Sequence, residues 1–199
     1  NIPGCYPAIQ TQDPLELPDQ LTSFDLQKFA ADYKVDHAAQ LWPAEDQTAF
    51  ELLNDFIGEK MAHYKTERDL PAVDGTSRLS PYLNIGILSI RQCMQPLFND
   101  GYFQIDDIGQ QTWLDELLWR EFYLHTLFDF PRVSRHRPFK EHTDNIQWRN
   151  APEDLAAWQQ GQTGIPIVDA GMRQMRATGW MHNRVRMITA MFLCKNLLI

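Results

Sequence analysis

Three short stretches hold side chains able to do chemistry. In "WLDELLWREFYLH", residues 113–125, helical spacing puts Glu116, Trp119 and Tyr123 on one face, with Trp113 and Arg120 flanking it. A carboxylate beside aromatic rings suits a flat ligand with donors on its edge: the rings stack and the carboxylate accepts. A core helix with an ordinary Glu116–Arg120 ion pair fits the same pattern, and on spacing alone that plainer reading is the stronger. In "GTSRLSP", residues 75–81, three hydroxyls and Arg78 precede a helix start, a pattern able to hold a phosphate or pyrophosphate. A Ser-Pro helix start is also common with no ligand. In "GWMHNRVRMI", residues 179–188, Asn183, Arg186 and Met187 share a helical face. They offer a donor–acceptor amide, a fixed fork of donors and a soft apolar contact, a reasonable wall for a heteroaromatic ring or a helix start facing water.

Other chemistries find no pattern. The sequence has no Walker A loop, no GxGxxG and no HExxH, and His136 and His142 lack a partner at metal-ligand spacing, so no metal is expected. No Ser/His/Asp or Cys/His arrangement stands out. Cys5, Cys93 and Cys194 are far apart and odd in number, which fits reduced thiols in a cytoplasmic protein.

Helices must position these stretches. Apolar Phe50, Leu53, Phe56, Ile57 and Met61 recur at three-to-four spacing and predict a helix over Asp46–Tyr64. Ser80 as N-cap and Pro81 as first helical residue predict a short helix, and Ser89 predicts another to about Phe98. Gln111–Phe128 is the longest amphipathic run, ended by Pro131. A basic loop over 132–150 follows. Pro152 and Gly161 bracket one helix, Pro166 and Gly179 the next, and a last one begins near His182. No set of alternating strands is evident, so the fold class is all-α.

Size and charge set the remaining bounds. A chain of 199 residues, 44% apolar and 22% charged, can bury a substantial core. No apolar run approaches the ~18 to 20 residues of a membrane span, and no secretory signal is evident. The net charge of −8 resides entirely in residues 1–60, with 3 Lys/Arg against 11 Asp/Glu; residues 131–199 hold 10 basic and 5 acidic residues. One face could therefore meet a polyanion, although ordinary solvated surface charge fits as well.

Taken together, "DGTSRLSPYL", "WLDELLWREFY", "HTDNIQW" and "AWQQGQTGIPIVDAGMRQMRATGWMHNRVRMI" resemble the FAD-binding helical domain of DNA photolyases in the photolyase/cryptochrome family, most closely the bacterial class I cyclobutane pyrimidine dimer enzymes. The resemblance is dense from Tyr64 to Ile199 and looser from Leu21 to Ala62. It implies an irregular arm over 1–23 and a partial helical domain over 24–199, truncated at its C-terminal end, with the N-terminal α/β antenna domain and the last helices outside this sequence. It implies that FAD, active when reduced, lies against Tyr64, Thr76, Ser77, Arg78, Leu79, Ser80, Trp113, Arg120, Trp180 and Arg186. Glu116 and Trp119 would meet the damaged bases, with Asn183 and Met187 as further contacts, and Arg68 and Arg184 would lie near the DNA strand. Trp148 matches the outermost member of an electron-transfer chain. The implied activity is light-driven splitting of pyrimidine dimers in DNA: the excited flavin donates an electron to the dimer and recovers it after the ring opens. Glu116 would stabilise the charged dimer, better so if it carries or shares a proton. An antenna pigment of unspecified type, a monomeric parent protein and a cytoplasmic location complete the expectations. A cryptochrome-type photoreceptor, or a helical piece without cofactor or activity, are the alternatives.

Overall fold

The computed structural model describes residues 41–99 and 102–199. The expected arm over 1–23, the looser segment to residue 40 and Cys5 lie outside them. The described residues form eight α-helices joined by turns and loops. They are α1 (Asp46–Asp55), α2 (Tyr64–Glu67), α3 (Ser80–Ile85), α4 (Ile90–Met94), α5 (Ile108–Asp129), α6 (Pro152–Gln160), α7 (Pro166–Thr178) and α8 (Asn183–Met191). One two-residue antiparallel hairpin, Phe98–Asn99 with Tyr102–Phe103, is the sole strand pairing among the described residues. The all-α class stands.

Local signals explain most of the helix ends. Pro152 and Pro166 sit in the first turns of α6 and α7, where a missing N–H costs nothing, and Gly161 and Gly179 end them in the left-handed conformation at φ 67° and 71°. Ser89 caps α4 in a reciprocal box with Gln92. Two expectations about helix ends need correction. The run over Asp46–Tyr64 is not one helix: α1 passes into a π-turn at Phe56–Lys60 and a 3-10 turn at Met61–His63 before α2. That rewinding buries Phe56, Met61 and Tyr64 together, while Phe50, earlier in α1, is exposed. Ser80 is the first residue of α3, not its cap; Leu79 occupies the cap position and is buried, with no side-chain cap bond.

Two apolar clusters form. The larger draws on α1 to α5, with Leu53, Phe56, Tyr64, Leu79, Tyr82, Trp113 and Leu117 among its buried members. The smaller joins α7 and α8 through Val168, Met172, Met181 and Val185. Gly171 makes the second possible, because a β-carbon there would lie 2.3 Å from Val185 Cγ1. Asp169 ties down the turn before α7 by accepting from Thr163 N at 2.8 Å, Thr163 Oγ1 at 2.6 Å and Gly164 N at 2.9 Å. α5 is not amphipathic along its whole length. Thr112, Trp113, Leu114 and Leu117 are buried, whereas Leu118, Trp119, Phe122, Tyr123 and Phe128 are exposed, because apolar side chains occur all round its second half.

The seam between the clusters is polar. Trp42 Nε1 donates to Thr178 O at 2.7 Å, the Arg78 guanidinium lies 4.9 Å from the Trp180 ring centroid, and Arg184 Nε pairs with Asp69 at 2.7 Å. Among the described residues no helix is long and apolar enough to cross a membrane.

Candidate functional site

A cleft of about 490 Å³ opens along this seam. The larger cluster supplies one wall: Tyr64 at the start of α2 and Arg68 just past its end, the loop Thr76–Ser80, Asn84 of α3 and Glu116 of α5. Trp180, Met181, Asn183 and Arg186, at and before the start of α8, form the other. A second recess of about 340 Å³ shares Ser77, Ser80, Asn84 and Glu116 with the first and adds Leu83, Trp113, Leu117 and Arg120. Ser77, Trp113 and Asn183, from three distant parts of the chain, thus border one continuous concavity.

The loop is held from beneath. Gly75 is buried against Glu67, and a β-carbon there would fall 2.6 Å from Glu67 Cβ, so only glycine lets the loop lie so close to α2. Leu79 anchors the other end in the core. Between them Arg78 takes a left-handed backbone, φ 54°, which turns its side chain out to Asp74 at 3.0 Å and over Trp180. Ser77 Oγ accepts weakly from Leu79 N at 3.5 Å. The hydroxyls of Thr76 and Ser80 have no protein partner among the described residues, so they can bond to a guest.

Electrostatics favour an anion. Arg68, Arg78 and Arg186 line the main cleft against the single carboxylate of Glu116, although the whole chain is acidic. Glu116 is not the i,i+4 partner of Arg120. It takes Arg68 Nη1 at 2.6 Å, and Arg120 bonds to Glu121 at 3.0 Å and to Leu83 O at 3.2 Å. Arg68 also lies over the Tyr64 ring, 5.3 Å from its centroid. Burial pushes the Tyr64 phenol up to about 12, with the Arg68 cation opposing the rise, so the ring lines the cleft as a neutral group.

α8 begins with an unusual cap. His182 Nδ1 accepts from Arg184 N at 3.1 Å, which assigns the ring proton to Nε2. The ring is fully buried; desolvation holds its pKa below the ordinary value, against the pull of the Arg68 backbone carbonyl. A neutral imidazole therefore fixes the first turn that presents Asn183 and Arg186.

Of the residues singled out from sequence, Tyr64, Arg68, Thr76, Ser77, Arg78, Leu79, Ser80, Trp113, Glu116, Arg120, Trp180, Asn183 and Arg186 all border the two connected recesses. Four do not. Trp119 is 52% exposed and stacks on Tyr123 at 6.0 Å, one turn beyond Glu116. Met187 is exposed, with its sulfur 3.7 Å from Arg184 Nη1, and Arg184 itself turns to Asp69. Trp148 is 54% exposed on the loop before α6, beside Arg149, which ties that loop to Leu197 O and Leu198 O. Trp113 is chiefly a core residue: it is 4% exposed and donates to Cys93 O at 3.2 Å. Four lining residues are not among those singled out from sequence: Asn84, Met181, Leu83 and Leu117. Asn84 lies one helical turn after Ser80, a spacing that could have found it. Met181 carried no such signal.

The segment Trp113–Ile199 matches the family model described as the FAD binding domain of DNA photolyase. The deoxyribodipyrimidine photo-lyase of Escherichia coli (strain K12) is 50% identical over 158 residues, covering 79% of this chain and 34% of that protein. Over Trp113–Ile199 the chain belongs to the family of FAD-binding domains of DNA photolyases. Among solved structures, a class III photolyase from Agrobacterium tumefaciens superposes with a TM-score of 0.75 at 39% identity, over 81% of this chain and 33% of that one. A Synechocystis cryptochrome does so with a TM-score of 0.67 at 31% identity, over 77% and 32%. The chain spans about a third of the length of these relatives.

The residues present fit an FAD. Unpartnered hydroxyls on a loop held down by Gly75, the guanidinium groups of Arg78 and Arg186 lining the cleft, and a half-buried indole backed by a guanidinium match a pyrophosphate flanked by flat rings.

Proposed function

We propose that this protein holds FAD in the seam cleft and takes part in light-driven repair of cyclobutane pyrimidine dimers in DNA. The observation that carries the reading is the junction of the two recesses. Ser77, Ser80, Asn84 and Glu116 border both, so a cofactor held by the loop and a base held by Glu116 would be neighbours.

Thr76, Ser77 and Ser80 would donate hydroxyl protons to phosphate oxygens, with Arg78 and Arg186 balancing their charge. Trp180 and the neutral Tyr64 ring would bound the flat parts of the ligand and exclude water. When bound, reduced flavin supplies, on absorbing light, the electron that opens the cyclobutane ring, and recovers it afterwards without net redox change. Glu116 would accept from the N–H groups of the damaged bases and fix their orientation. Arg68, bonded to Glu116, would bring a positive group to the place where negative charge appears on the dimer. Trp119 and Met187, outside the recesses, would touch a lesion at the mouth. Base flipping by photolyases is an established general behaviour, and a crosslinked pair stacks poorly, which lowers the cost of extrusion.

Repair of a thymine-dimer oligonucleotide under blue light by the FAD-loaded protein tests the reading. Glu116→Ala should lower repair per absorbed photon about ten- to a hundredfold, the equivalent of one charge-assisted hydrogen bond, while flavin occupancy changes little. Loss of flavin with unchanged repair per bound flavin would remove this role. Absence of dimer repair by a flavin-loaded protein that is given the oligonucleotide and still responds to light would favour a photoreceptor, a class whose fold this chain also matches.

A further inference from the structure

Arg68 and Asp69 are neighbours in sequence, yet they reach different parts of the molecule. Arg68 turns to Glu116 on α5, and Asp69 turns to Arg184 on α8, 115 positions later. Asp69 Oδ1 accepts from Arg184 Nε at 2.7 Å and lies 3.7 Å from Arg68 Nε. The other arm of the same guanidinium, Nη1, rests 3.7 Å from Met187 Sδ. Asp69 therefore sits between two arginines and sets the direction of the second. Its carboxyl is held below the ordinary value, first by the Arg184 hydrogen bond, so it is a charged acceptor near neutral pH.

Both side chains of the pair are well exposed, so the bond contributes little to folding. Its consequence is orientation and charge. Bonding through Nε turns the guanidinium sideways on the helix whose Asn183 and Arg186 line the cleft, and the neighbouring carboxylate offsets part of its pull on any phosphate. A cation free of Asp69 would attract the backbone of any DNA equally, because phosphate contacts carry no information about the base.

We propose that Asp69 is a specificity-determining, positioning residue of the lesion site, holding Arg184 back from undamaged DNA and aimed along Met187. The proposal rests on the reading of the cleft as a dimer-repair site. An undamaged duplex offers Arg184 phosphate contacts alone. A seated lesion adds contacts to Glu116 and Asn183, and so can draw the guanidinium off Asp69.

The test compares binding of FAD-loaded protein in the dark to one duplex oligonucleotide with and without a single thymine dimer, over a range of salt. Asp69→Asn keeps the shape and removes the charge. Affinity for undamaged duplex should rise about three- to tenfold, with the log–log salt slope steeper by about 0.9 for one more phosphate contact. Affinity for the dimer duplex should change much less, so discrimination falls. In an Arg184→Ala background the same substitution should have no effect on either duplex. Unchanged discrimination in Asp69→Asn, or a loss that persists without Arg184, would overturn the proposal while leaving the repair reading intact. Equal affinity of the unsubstituted protein for both duplexes would remove the repair reading and this proposal together.

Discussion

The two walls of the cleft are built on different foundations. The wall made by the Thr76–Ser80 loop, Tyr64 and Glu116 stands on the larger cluster, where Leu79, Tyr82, Phe56 and Trp113 are almost wholly buried. The wall made by Trp180, Asn183 and Arg186 stands on four buried apolar residues and a buried histidine cap. Polar links join the two across the seam. Burial of apolar surface holds a residue strongly and without regard to pH, whereas caps, ion pairs and cation–π contacts hold it weakly and respond to charge. The first wall should thus behave as scaffold and the second as the part that can be tuned.

The sharpest contrast is between two tryptophans. Trp113→Ala should cost about 3–5 kcal/mol of stability, as a large buried aromatic does, and it orphans the Cys93 carbonyl. Trp180→Ala should cost about 1 kcal/mol, for the contact with Arg78, while weakening flavin retention clearly. Denaturant unfolding beside flavin absorbance measures both; equal destabilisation by the two would erase the distinction between the walls. Gly171→Ala comes next. With Val185 only 2.3 Å from the new carbon, α7 and α8 must move apart, at about 1–3 kcal/mol. The loss should appear as faster amide exchange in 166–191 while the α1–α5 cluster keeps its protection.

A pH effect is the smallest and the most specific to the second wall. His182 has a folded pKa below its unfolded value of about 6.5, so protons bind more readily to the unfolded chain. Its contribution is complete above the unfolded value and is lost as pH falls through the lower folded value. The melting temperature of the protein should therefore decline as pH drops below about 6.5. His182→Asn, which keeps a capping acceptor and removes the titration, should flatten that decline. A profile identical in the two proteins would show that α8 is not held by a neutral imidazole.

Legibility in sequence followed the range of each interaction. The ends of α6 and α7 were readable because Pro and Gly act through their own backbone angles. The cap at Ser89 was readable because its partner is three residues away. The break at Phe56 was not. No proline marks it, and its cause is the joint burial of Phe56, Tyr64 and Trp113, whose rings pack at 4.6 to 5.9 Å. Glu116 borders the cleft, but its ion-pair partner is not the one that local spacing predicts. Helical spacing offered Arg120, and the fold supplied Arg68 from another element. Trp113 and Trp119 carried equal weight as letters, and burial separated them into a core ring and an exposed one.

By itself, then, the order of residues determined the helices, the hydroxyl-rich loop and the family, because capping, periodicity and consecutive motif words are local. The tertiary structure decided which groups face each other across the seam. Arg68 with Glu116, Asp69 with Arg184 and Arg78 with Trp180 are separated by 48 to 115 positions or so, and pairings at that distance follow from how two cores pack, which no single stretch of chain encodes.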